Sequence, residues 1–283
     1  AYIALWQNPK TELNHLRCKM LNTCIEAGCK PKGIYTLTVP TGGGKTVTSL
    51  AFALHHAVTH GMKRVIYIIP YTSIIEQNAE VFRNILGSGN VLEHHSGMEF
   101  DLSDGASPEE IRRALASENW DMPVVVTTAA RFFDSLYANR SSKCRKLHNL
   151  ANSVIIFDEA QMLPLCHLRP CVAAMASLAE YVGSTLVLCT ATQPSLRDLL
   201  RTYAPGHTVM ELCPQTEEIY DRFRRVTFRQ AGVLEDDALT ERLSNHRQVL
   251  CVVNSRRAAQ QIFDRLPKEG CFHLSTLMIP TQR

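Results

Sequence analysis

The sequence contains no run of about eighteen consecutive apolar residues, the length a helix needs to cross a bilayer, and it does not open with a basic-then-apolar leader. The expectation is a soluble, cytoplasmic protein with no membrane partner. A charge excess is also missing: 30 Lys and Arg against 27 Asp and Glu leave a net charge of +3. No global field marks a polyanion binder, so any such contact has to be local. The ten cysteines include no C-x-x-C pair. They are scattered, several of them in apolar runs, which argues for reduced thiols and against a disulfide framework or a zinc site. What is present is 283 residues with 45% hydrophobic content, enough to build cores in more than one α/β unit.

The most informative stretch is Val39-Pro40-Thr41-Gly42-Gly43-Gly44-Lys45-Thr46. A β-branched apolar run, Ile34 to Val39, precedes it, and Val47 to Val58 can carry a helix. A strand, a glycine turn and a helix N-terminus cradle phosphate, because backbone N–H groups and the helix dipole converge on one anion. Thr41, Gly42, Gly43 and Gly44 form that cradle. Lys45 reaches the β/γ-phosphates, and the Thr46 hydroxyl is a Mg²⁺ ligand. The pattern G-x-x-x-x-G-K-[ST] has glycine where this chain has Val39, so Pro40-Thr41-Gly42 must carry the turn. An ordinary glycine turn before Lys-Thr is the bland alternative, disfavoured by the flanking strand and helix.

A second nucleotide motif follows the apolar strand Ser153 to Phe157, which runs into Asp158-Glu159-Ala160-Gln161. An acid at the end of a buried strand, Asp158, holds Mg²⁺, and the following Glu159 polarises the attacking water. Other apolar runs, Arg64 to Pro70, Pro123 to Ala129 and Leu186 to Cys189, have the length of buried parallel strands. Each ends in hydroxyl residues: Thr72 and Ser73, Thr127 and Thr128, Thr190 and Thr192. Ligands of open α/β sheets bind at that edge, so a nucleic-acid backbone is one reading of these hydroxyls and helix capping is the other. His94 and His95, adjacent in a short strand, point to opposite faces and do not share a metal. Ser107-Pro108-Glu109-Glu110 opens a helix by capping chemistry. At least six strands alternate with helices, which predicts a doubly wound parallel sheet. Pro, Gly and short polar runs mark a linker at 204–214, and a second α/β unit begins at 215, with strands at Arg222 to Gln230 and Gln248 to Val253 and helices at Ala238 to His246 and Arg256 to Leu266.

With these residues in hand the chain resembles a superfamily 2 helicase, and more narrowly the helicase portion of the CRISPR-associated helicase–nuclease of type I systems. The carriers are PTGGGKT at 40–46, IPYTSIIEQN at 69–78, LEHHS at 92–96, TTAARFFDSL at 127–136, FDEAQMLP at 157–164, TATQP at 190–194 and HLSTLMIP at 273–280. The resemblance implies a RecA-like P-loop lobe over 1–203 and a truncated second lobe over 215–283. It implies ATP and Mg²⁺ as cofactors, single-stranded DNA from an unwound duplex as substrate, and recruitment by an RNA-guided CRISPR surveillance complex. By position, Gln161 senses the γ-phosphate, Thr190 and Thr192 couple hydrolysis to lobe closure, and Thr72, Ser73, Thr127 and Thr128 lie along the strand. Trp6 and Gln7 are of the types that read adenine; packing explains them as well.

Three departures qualify that expectation. The family often has His where Gln161 stands. Its nuclease is marked by a His-Asp dipeptide, and none occurs in this sequence. The second lobe stops before the late motifs that bring arginines to the γ-phosphate, worth about 10³ to 10⁵ in rate, so the expectation for these residues is ATP binding with very slow turnover. Two other classes remain open: an RNA helicase of the DEAD-box kind, since the 2′-OH contact is not readable from sequence, and a regulatory module that binds ATP without turnover.

Overall fold

The computed structural model describes residues 9–98, 106–191, 196–214, 216–267 and 269–275. The chain divides into two compact units, 1–224 and 225–283.

In the first unit, helix α1 (Glu12–Ala27) leads to β1 (Ile34–Thr38), α2 (Lys45–His60), β2 (Arg64–Ile69), α3 (Thr72–Leu86), β3 (Val91–His94), α4 (Pro108–Asn119), β4 (Val124–Thr128) and α5 (Ala129–Tyr137). After the short helices α6 (Ser141–Cys144) and α7 (Leu147–Leu150) come β5 (Ser153–Phe157), α8 (Leu168–Val182), β6 (Thr185–Thr190), α9 (Leu196–Tyr203), β7 (Val209–Glu211) and α10 (Thr216–Arg222). The seven strands form one parallel sheet in the order β3-β4-β2-β5-β6-β1-β7. This is the doubly wound α/β architecture expected.

Both faces of the sheet are covered, which is why its strands read as continuous apolar runs rather than alternating ones. Within each run successive side chains still go to opposite faces. Tyr35, Leu37, Val65, Tyr67 and Ile69 pack with Phe52 of α2 and Phe82 of α3 in one core. Ile34, Ile66 and Ile68 face the other, with Trp120, Phe132 and Met175 from the α4, α5 and α8 side. Helix starts follow the capping residues. Thr11 Oγ1 accepts from the Asn14 N–H at 3.3 Å, and Ser107 and Glu110 make a reciprocal capping box.

Residues 204–214, expected as a linker, instead hold β7, whose register with β1 pairs Ile34 with Val209 and Thr36 with Glu211. Ile219 and Phe223 continue into the core, so the compact unit runs on to Arg224. In the second unit the expected helices are present as α11 (Asp236–Ser244) and α12 (Arg256–Arg265), the latter capped by Ser255 Oγ. The expected strands are not: residues 225–230 and 248–253 carry no strand pairing among the described residues, and Val249, Leu250 and Val252 are exposed. An apolar run becomes a strand only when a neighbouring strand takes its N–H and C=O groups. No helix among the described residues is long and apolar enough to cross a membrane.

Candidate functional site

The chain leaves β1 through Val39, whose N–H donates to the Thr190 carbonyl at 3.2 Å, and turns into the glycine loop. Gly42 and Gly44 have φ of 83° and 86°, the left-handed region where a Cβ costs about 1–2 kcal/mol. Gly43 is required for space: a Cβ there would lie 2.4 Å from Val39 Cγ1 and 3.0 Å from the Pro40 carbonyl oxygen. Gly44 caps α2 without a side-chain bond, so the first turn of the helix keeps donors for an anion. The loop has an outside support that sequence reasoning missed. Arg17 of α1 donates to the Gly42 carbonyl from Nε at 3.0 Å and from a terminal nitrogen at 2.6 Å, while its other nitrogen is held by Asn14 Oδ1 at 2.9 Å.

Lys45, the first residue of α2, lies 3.2 Å from Asp158 Oδ1 and hydrogen-bonds Glu159. Asp158 Oδ1 also accepts the Glu159 N–H at 3.0 Å. Glu159 itself has φ of 49°, a strained position for a residue with a side chain. Its second oxygen accepts from Gln161 Nε2 at 2.5 Å, and Gln161 Oε1 in turn accepts from the Thr190 hydroxyl at 2.8 Å. The structure thus brings Lys45, Asp158, Glu159, Gln161 and Thr190 into one connected network across the ends of β1, β5 and β6. Burial alone lowers the Lys45 pKa, but Asp158 and Glu159 reverse this and the net shift is upward. Burial raises the Asp158 pKa, and Lys45 offsets this only in part.

The donor set suits a nucleotide with its metal. The loop has no room for another side chain at Gly43, one ammonium answers two carboxylates, and a hydroxyl at Thr46 and a carboxylate at Asp158 are ligand types that could hold a hard cation. Two further polar residues brace this region. Glu211 of β7 accepts from the Thr36 and Thr38 hydroxyls, each at 2.8 Å, and from the Thr38 N–H at 3.0 Å. Tyr220 of α10 hydrogen-bonds the Ala191 carbonyl. The alternation Thr36, Thr38 inside an apolar strand was the available signal for Glu211, since two hydroxyls on one buried face require a polar partner.

The other sequence-predicted residues are placed differently. Thr127 is fully buried and its hydroxyl donates to the His94 carbonyl at 2.8 Å. Thr128 caps α5, accepting from the Arg131 N–H at 3.2 Å. Thr72 and Ser73 open α3, with side chains outside the described part of the structure; Thr192, Trp6 and Gln7 lie outside the described residues. The two histidines diverge as expected. His94 Nδ1 accepts from the Trp120 indole at 3.1 Å, while His95 Nδ1 accepts from the Gly97 N–H and its Nε2 donates to Glu93 at 3.1 Å. Glu76, Glu93 and His95 come close enough to hold a cation, but Arg83 already sits on Glu93 at 2.5 Å and the group is an ion-pair cluster.

A search of curated proteins finds the CRISPR-associated nuclease/helicase Cas3 of Haloferax volcanii, 31% identical over 189 residues, which is 60% of this chain and 20% of that protein. The chain therefore spans about a fifth of the length of this relative. Among solved structures, T. fusca Cas3 with ATP superposes with a TM-score of 0.52 at 18% identity, over 66% of this chain and 22% of that one. The helicase Lhr of Mycobacterium smegmatis, bound to ssDNA and AMP-PNP, gives a TM-score of 0.54 at 15% identity, over 89% of this chain and 33% of that one. At such identities the likeness speaks for the fold. The sequence profile of the DEAD/DEAH box helicases matches residues 22–199, which hold both the glycine loop and the paired acids, and the chain belongs to that family.

Proposed function

We propose that the chain is the nucleotide-binding part of an ATP-driven motor that moves on single-stranded DNA within a type I CRISPR defence system. The observation that carries this is the single network joining Lys45, Asp158, Glu159, Gln161 and Thr190. A lysine held against two acids beside a glycine loop is the arrangement that exchanges its carboxylate partners for a triphosphate. The curated Cas3 relative and the ATP complex of T. fusca Cas3 support the same reading.

In this reading the N–H groups of Gly42 to Lys45 hold the phosphates, Lys45 neutralises them, and Arg17 keeps the loop in shape through Gly42. Thr46 and Asp158 would hold Mg²⁺, which supplies charge neutralisation to the phosphates. Glu159 accepts the proton of the attacking water. Gln161 and Thr190 report the state of Glu159 to β6, with Thr192 beyond it. The strand lies across the ends of β2 and β4, along Thr72, Ser73, Thr127 and Thr128. Because the Thr127 and Thr128 hydroxyls already bond the protein, their part is to set the loop and the α5 N-terminus against the strand. Recruitment by an RNA-guided surveillance complex belongs to this reading, and the likeness to the curated Cas3 relative supports it.

The test is ATP hydrolysis by the complete native polypeptide with and without single strands, using matched DNA and RNA. Stimulation by DNA, reduced in Gln161→Ala, is the expected result. Stimulation by RNA alone would transfer the reading to an RNA motor, and ATP binding with no stimulation by either would leave a regulatory module.

A further inference from the structure

A sizeable cavity in the first unit lies beside the paired acids. About 570 Å³ in volume, it opens between the end of β2, at Pro70 and Tyr71, and the start of α5, at Ala129 and Ala130. Its walls are mostly apolar and aromatic, with the buried Phe157 and the half-buried Phe133 among them and the more exposed Tyr71, Tyr137 and Met162. Those two tyrosines are 49% and 59% exposed, an unfavourable state for rings beside an unfilled apolar volume. Tyr137 is nonetheless fixed in place, its hydroxyl donating to the Pro170 carbonyl at 2.7 Å. The volume falls in the range of small-ligand sites.

Adjoining this cavity, and sharing Asp134 and Tyr137 as walls, is a shallow polar depression that contains Arg140 and Lys143. Lys143 is occupied by Asp134, at 2.7 and 3.0 Å. Arg140 is exposed, and its side chain makes no ion pair or hydrogen bond among the described residues. A rigid aromatic slot next to an unpaired guanidinium matches the two parts of a nucleotide, a flat base and a phosphate. An apolar peptide segment would use the slot and leave the arginine without purpose.

We propose that this cavity takes one unstacked base of the single strand, against Phe133 and Tyr137, with the adjoining phosphate on Arg140. The proposal rests on the strand reading of the preceding subsection and adds to it the residues that grip the strand. It also gives the strand a route to the chemistry. Phe157, Asp158, Glu159 and Ala160 also line the cavity, so a base seated there bears on the same segment that carries the two carboxylates. Since every base has an aromatic face, the grip tolerates any sequence, as a motor on foreign DNA requires.

The test uses the complete native polypeptide and a single-stranded thymidine oligonucleotide carrying one 5-iodouracil, photocross-linked and mapped by mass spectrometry. Cross-links are expected on Tyr71, Phe133 or Tyr137. Strand affinity should fall about 5- to 100-fold in Tyr137→Ala and be largely kept in Tyr137→Phe, which preserves the ring. In Arg140→Ala the slope of log affinity against log salt should drop by about 0.7. The wild-type cross-link does not depend on the folding of any variant. Firm strand binding with cross-links only elsewhere overturns the base site and leaves the strand reading intact. No strand binding at low salt overturns both.

Discussion

Around the ends of β1, β5 and β6 the polar side chains bond to one another across strands, whereas the two threonines at the end of β4 bond to backbone. Lys45, Asp158, Glu159, Gln161 and Thr190 depend on each other. Thr127 and Thr128 serve a neighbouring carbonyl and a helix cap. Both halves present hydroxyls at strand ends, so residue type alone does not make a ligand group. Charge is what separates them: the first half concentrates an ammonium and two carboxylates in a partly buried place, where losing one partner strands the others.

Lys45→Ala should break the first half most severely. Removing one partner of a buried charge set costs about 2–5 kcal/mol of binding free energy, read by titration with a fluorescent ATP analogue. Retained affinity would mean that the glycine loop alone holds the phosphates. Glu159→Gln should keep nucleotide affinity and lower turnover by about 10² to 10⁴-fold in the complete polypeptide; an unchanged rate would remove Glu159 as the proton acceptor.

Acid should act on both halves through buried histidines. His56 donates from Nδ1 to the Gly28 carbonyl and accepts from the Thr185 hydroxyl, both at 2.9 Å, and His94 accepts from Trp120. Burial lowers each pKa to about 4, below the ordinary value near 6.5. With the folded-state pKa depressed, the neutral forms carry the stabilisation. It is complete above about pH 6.5 and is lost as the pH falls through that value toward 4. Melting temperatures from pH 7 to 4.5 should decline accordingly, and His94→Asn should shallow that decline if the β3–β4 side gives way first. The smallest expected effect belongs to Thr128→Ala, a loss of about 1 kcal/mol for the cap of α5, measurable as a lower urea midpoint without any nucleic acid present. A strand-dependent defect with unaltered stability would show that Thr128 does more than cap.

Much of the first half was legible, because its chemistry is local. Glycines at fixed spacing before Lys45, and two acids directly after an apolar strand, announce their partners without a view of the fold. The supports were not legible. Arg17 lies on a helix with no motif, and its partner is a backbone carbonyl. Glu211 ends a three-residue strand, too short for any periodicity to register. Gln248 to Val253 erred in the opposite direction: its run has the same apolar character as β2, and only β2 has strands on both sides to complete it. The aromatic cavity escaped notice because its walls come from the ends of β2 and β5 and from α5 and the start of α8, none of which carries a nucleotide motif except at Asp158 and Glu159.

The position of β1 also bears on how the protein is made. Of the seven strands of this sheet, the one that carries the glycine loop is the first to leave the ribosome, yet its two neighbours are β6 and β7, the last two of the seven. At synthesis rates of about 5–20 residues per second, β1 waits on the order of ten to thirty seconds for Val209–Glu211 to arrive. Until β6 emerges Tyr35 and Leu37 have no sheet to enter, and the nascent chain carries an unpaired apolar segment. Enclosure of the strand that carries the glycine loop is therefore a late event in biosynthesis, set by the emergence of β6 and β7 rather than by the loop itself.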